Sequence, residues 1–96
     1  MRPVHLTDLN IATRTLMAVP CAQQAGLMRR IHQNAQTADI YRRSTGRRHG
    51  KFGSGALGDA CAAYAMHPPV DSCDHAYLHS LHIVVTELLM QANDGT

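Results

Sequence analysis

Near the carboxyl end, Tyr77, Leu78, Leu81, Val84, Val85, Leu88 and Leu89 recur at the 3.6-residue spacing of one helix face, the clearest apolar stripe in the chain. Such a helix must lay its stripe against another surface, and the rest of the chain offers only helices for that purpose. Leu9, Ala12, Leu16, Met17 and Val19 follow the same period, as do Met28, Ile31, Ala35 and Ala38 with Leu27 at the edge. Nothing alternates with the two-residue period of a strand. The expected fold is therefore all-α, a small bundle of about four helices forming a single domain over 1–96, with helices near 8–18, 21–43, 55–66 and 74–91.

Local signals set those limits. Thr7 or Asp8 is expected to cap the first helix, and Pro20 separates it from the second. Gly46 is the expected left-handed stop of the second helix, Ser54 the cap of the third and Asp74 that of the last. Arg42 lies on the continuation of the second helix's apolar stripe, so either the helix ends there or this arginine turns inward and is paired. With no Trp, one Phe and three Tyr, the core must be made of aliphatic residues and alanines. Close packing of that kind leaves little room for an internal ligand cavity and favours a surface site.

One segment does not look like core. Residues 41–57, YRRSTGRRHGKFGSGAL, hold five of the nine Lys and Arg residues, four of the seven glycines and the only Phe. Between Cys21 and Phe52, seven cations face Asp39 alone, whereas the remainder sets six acids against Arg2 and Arg14. Cations among glycines and hydroxyls can converge on an anion, but the spacing matches no phosphate-loop or dinucleotide fingerprint. Arg43, Arg47, Arg48, His49, Lys51 and Phe52 are the candidate partner-binding residues, with Phe52 as apolar anchor and the cations steering.

Two further groups carry less. His75, His79 and His82 fall at i, i+4 and i+7 on the last helix, away from its stripe. HxxxHxxH lacks the Glu of HExxH and any second Cys pair, so no metal site is assigned to these residues. Of the three cysteines, Cys21 and Cys61 are expected in the core, and Cys73 stands beside a helix start without an orienting group for catalysis. An odd cysteine count without CxxC, no signal-like apolar run and no span of ~20 apolar residues lead to the expectation of a cytoplasmic protein without membrane contact.

The pattern Tyr41, Arg42, Arg43, Thr45, Gly46, Arg47, His49, Phe52, Gly53, Gly55, Leu57, together with the opening MRPVHLTDL and the AVP at 18–20, resembles a family of small alphaproteobacterial proteins of unknown function. Phe52 stands where that pattern carries Trp, and Gly50 where it carries Pro. The resemblance covers nearly the whole chain and implies no activity, catalytic residue or cofactor. The residues thus point to a non-enzymatic interaction module that docks an acidic protein surface through its basic loop, without a cofactor. The alternative is a small nucleic-acid-binding protein using the same cations on phosphates, and the last helix offers a seam for a second copy.

Overall fold

The computed structural model describes the backbone of residues 1–94 and the side chains of residues 1–92. Four helices follow in order: α1 (Leu6–Met17), α2 (Cys21–Thr45), α3 (Leu57–Ala60) and α4 (His75–Asp94). The fold is the expected small all-α bundle. The long α2 forms its spine, α4 packs across both α1 and α2, and α3 fills the end between them. No helix among the described residues is long and apolar enough to cross a membrane.

Helix α1 begins two residues earlier than expected, because its cap is not Asp8. His5 is the N-cap, and Asp8 reaches back from the first turn to accept the His5 N–H at 3.0 Å. The other oxygen of Asp8 accepts the Gly58 N–H at 3.1 Å, so one carboxylate ties the start of α1 to α3. Helix α2 runs two residues past its expected end, and Gly46 closes it in the left-handed conformation at φ 72°, donating its N–H to the Arg42 carbonyl at 2.7 Å. Asp74 caps α4 as expected, accepting the Tyr77 N–H at 3.1 Å.

The expected third helix over 55–66 is overturned: a single turn, Leu57–Ala60, remains. Ser54 binds Asp59 instead of capping this turn, and Asp8 takes the cap's place by accepting the Gly58 N–H. Residues 61–64 then close in short i to i+3 turns. Chain and side chain pin the exit to α1, where His67 N–H donates to the Arg14 carbonyl at 2.9 Å and Arg14 Nε donates to the His67 carbonyl at 2.8 Å.

The core joins Ala12 and Leu16 of α1, Met28, Ile31 and Ala35 of α2, Leu57, Ala60 and Cys61 around α3, and Val84 of α4. Cys61 fits its expected place, and burial pushes its thiol up to about 11. Cys21 does not: it is exposed at the first turn of α2, where the helix start faces outward.

Helix α4 sits on this core in an unexpected rotation. Val84 is fully buried, but Leu78, Val85 and Leu89 are exposed. In their place Ser80 and Glu87 turn inward, at 2% and 5% exposure. Both are satisfied there: Ser80 Oγ donates to Gln24 Oε1 at 2.9 Å, and Glu87 accepts two hydrogen bonds from Arg29, Nε to Oε2 at 3.1 Å and Nη2 to Oε1 at 3.2 Å. These polar clasps to α2 fix the rotation, because a buried carboxylate without its partner would be costly.

Candidate functional site

The basic segment is a built hairpin. After Gly46, Thr45 Oγ1 donates to the Tyr41 carbonyl at 2.8 Å and accepts the Arg47 N–H at 3.1 Å, which aims the chain back toward the bundle. His49 and Gly53 then exchange backbone hydrogen bonds at 2.9 and 3.1 Å, enclosing Gly50, Lys51 and Phe52 as the tip. Inside the tip, His49 Nδ1 accepts the N–H groups of Lys51 at 3.0 Å and Phe52 at 3.1 Å. That nitrogen therefore presents a lone pair, and the ring proton of the neutral imidazole sits on Nε2.

The same ring organises the aromatics. Phe52 stacks on His49 with centroids 4.8 Å apart and planes 9° off parallel, and Tyr41 meets the imidazole edge-on at 5.1 Å. Tyr41 stays 41% exposed and Phe52 half-buried, so the group is accessible from outside.

Two glycines let the hairpin lie against the bundle. Gly53 and Gly55 have φ of 85° and 96°, and a Cβ on Gly55 would stand 2.8 Å from the Asp39 Cα. Only glycine fits that approach without strain. The Gly55 carbonyl accepts the Arg2 N–H at 3.1 Å, and Ser54 gives both its N–H and its hydroxyl to Asp59 Oδ2, at 3.3 and 2.6 Å.

Acids beneath the hairpin occupy part of its charge. Asp39, only 4% exposed, accepts Arg43 Nη2 at 2.6 Å, has Arg42 Nη2 at 3.6 Å and faces the amino-terminal ammonium at 3.2 Å, which also contacts Gln36. Burial alone would raise its pKa, but the ammonium and Arg43 outweigh burial and hold the carboxyl below its ordinary value. Asp59 is held low chiefly by the Ser54 hydroxyl, against burial, with Arg48 adding at 3.6 Å. Arg42 is thus half-exposed and paired, its Nε buried without a hydrogen-bond partner.

The six candidate residues therefore divide by task. Arg43 and Arg48 are shared with Asp39 and Asp59, and His49 and Phe52 hold the tip together. Arg47 and Lys51 are exposed and in no ion pair among the described residues. Sequence reading missed Tyr41 as part of the aromatic group and Asp59 as an anchor of the hairpin. Asp39 is legible as a partner of Arg42 and Arg43 from its i+3 and i+4 spacing to them.

The histidines of α4 separate. His75 and His79 line a hollow of about 490 Å³ with His67 and Cys21, whereas His82 borders a different one beside Ala25 and Thr86. No group of three or more His, Cys, Asp or Glu side chains among the described residues is arranged to hold a metal ion.

Comparison with curated proteins and with solved structures gave no match. A family profile does match, over residues 2–88, a span that takes in α1, the whole hairpin and most of α4, and the chain belongs to the family described as Domain of unknown function (DUF7742).

Proposed function

We propose that this protein is a non-enzymatic interaction module whose 46–55 hairpin docks an acidic segment of a partner protein. The observation that carries the reading is the division of charge on an ordered platform: Arg47 and Lys51 are exposed and in no ion pair among the described residues, in the same hairpin as an accessible Tyr41, His49 and Phe52 group. Backbone and imidazole bonds fix the platform before any partner arrives, so little ordering entropy opposes docking. An acidic segment with one apolar residue would set its carboxylates on the two cations and its apolar side chain against the aromatic group.

Nucleic acid is the reading this one must defeat. One face of Phe52 is already against His49, which removes a stacking surface a base would use. The test uses fluorescent acidic peptides, with and without a central leucine, beside a mixed DNA and RNA pool at about 50 mM salt. The apolar-centred peptide is expected to bind best, and an Arg47→Ala/Lys51→Ala variant to weaken it about tenfold. Failure of both peptides sinks the proposal, and a shift of the nucleic-acid pool alone transfers the surface to the other reading.

A further inference from the structure

We propose that the outer face of α4 is the seam of an antiparallel homodimer. Of the nine exposed residues described on that helix, six form one row: His75, Leu78, His82, Val85, Leu89 and Ala92 follow one another at steps of 3, 4, 3, 4 and 3, with Ala76, His79 and Met90 to one side of it. That is the 3.5-residue period with which one helix packs its seam into another, and here it lies on the side opposite Ser80 and Glu87, which face the core. Leu78, Val85 and Leu89 are 49%, 39% and 61% exposed, a cost in water that a partner helix would remove.

Charge chooses the occupant. Among residues 75–92 of α4 the only Asp, Glu, Lys or Arg is Glu87, which is buried against Arg29. A charged partner helix would find no counter-charge on this face, whereas a second copy brings an equally uncharged one and meets no like-charge repulsion. Two-fold symmetry then fixes the register. Placed antiparallel about the middle of the seam, Leu78 meets Leu89 of the second copy, His82 meets Val85 and His75 meets Ala92. A parallel pair would set His82 on His82 and align the two helix dipoles, which the antiparallel pair opposes.

The seam alone is about 26 Å long and would cover less than the ~800 Å² per partner of a stable complex. The surface continues past it. Between α4 and α1, Val4, Leu9 and Leu88 line a groove of about 300 Å³ that shares Val85 and Leu89 with the seam. Leu6, one turn before Leu9 in sequence, is 84% exposed. Together these extend the apolar face from α4 onto the start of the chain and α1.

The experiment is sedimentation equilibrium of the full chain from about 1 to 300 µM, beside a Leu78→Lys/Leu89→Lys variant. Both substituted positions are exposed, so the variant should keep its circular dichroism. The wild type is expected to dimerise and the variant to associate at least ~100-fold more weakly. A wild type that stays monomeric throughout, or a variant that dimerises equally, overturns the proposal. Register is read in a Cys21→Ala/Cys73→Ala background with a short bis-maleimide. Leu78→Cys with Leu89→Cys should link two chains efficiently and Leu78→Cys alone should not; the reverse overturns the antiparallel arrangement.

Discussion

The 46–55 hairpin and the outer face of α4 invert the usual relation between chemistry and order. The hairpin is cationic and rich in glycine, yet its turns are held by backbone bonds, by a histidine accepting two N–H groups and by acids beneath it. The face of α4 is aliphatic, yet Leu78, Val85 and Leu89 point to solvent while Ser80 and Glu87 are inside. Hydrogen bonds and ion pairs are directional, so a polar segment with the right partners specifies its own geometry. Apolar burial is non-directional, so the rotation of α4 was decided by the Arg29–Glu87 and Gln24–Ser80 clasps.

The largest effect that tests this contrast is in the hairpin. Gly55→Ala forces a left-handed alanine onto the Asp39 backbone and is expected to cost about 3 kcal/mol, measured by urea denaturation. Gly50→Ala, with open space around it, should stay within about 0.5 kcal/mol. Equal effects at the two sites would mean that the hairpin is not docked on α2. On α4, Arg29→Ala leaves the buried Glu87 unpaired and should cost about 2 kcal/mol, the mark of a clasp that sets rotation.

Smaller effects sharpen the comparison. His49→Ala orphans the Lys51 and Phe52 N–H groups; about 1 kcal/mol is expected, with faster amide exchange confined to those residues. At about 1 µM, where α4 stands alone, Val85→Ala should cost less than ~0.5 kcal/mol and Val84→Ala about 2 kcal/mol, because only Val84 is buried.

Acid should act in two stages, first at α2 and then beneath the hairpin. Burial, then the ammonium's charge, lowers the His32 pKa, so the unfolded chain takes up this proton first and stability begins to fall as pH drops below about 6.5. Asp39 and Asp59 are held below the ordinary carboxylate value, so their contribution is full above about pH 4 and is lost as pH falls through their lowered values. Denaturant midpoints at successive pH values should show both steps, and Asp39→Asn should flatten the second.

What the sequence determined by itself was whatever depends on short-range pattern. Apolar spacing gave the helical class and the first, second and last helices; Gly46 and Asp74 marked their ends, because a left-handed stop and a carboxylate cap act within one turn. The hairpin residues were visible as a group, but their division was not. That Arg48 is held by Asp59, that His49 serves the backbone of its own turn, and that Gly55 touches Asp39 depend on how the chain folds back on itself. Tertiary structure also shortened the third helix, since the chain after Ala60 turns in i to i+3 bonds and is pinned at His67 to Arg14, 53 residues away in sequence. It alone decided which half of the α4 stripe is core, because the apolar arc of that helix is wider than the surface α1 and α2 offer it, and periodicity cannot say which part of such an arc a neighbour will cover.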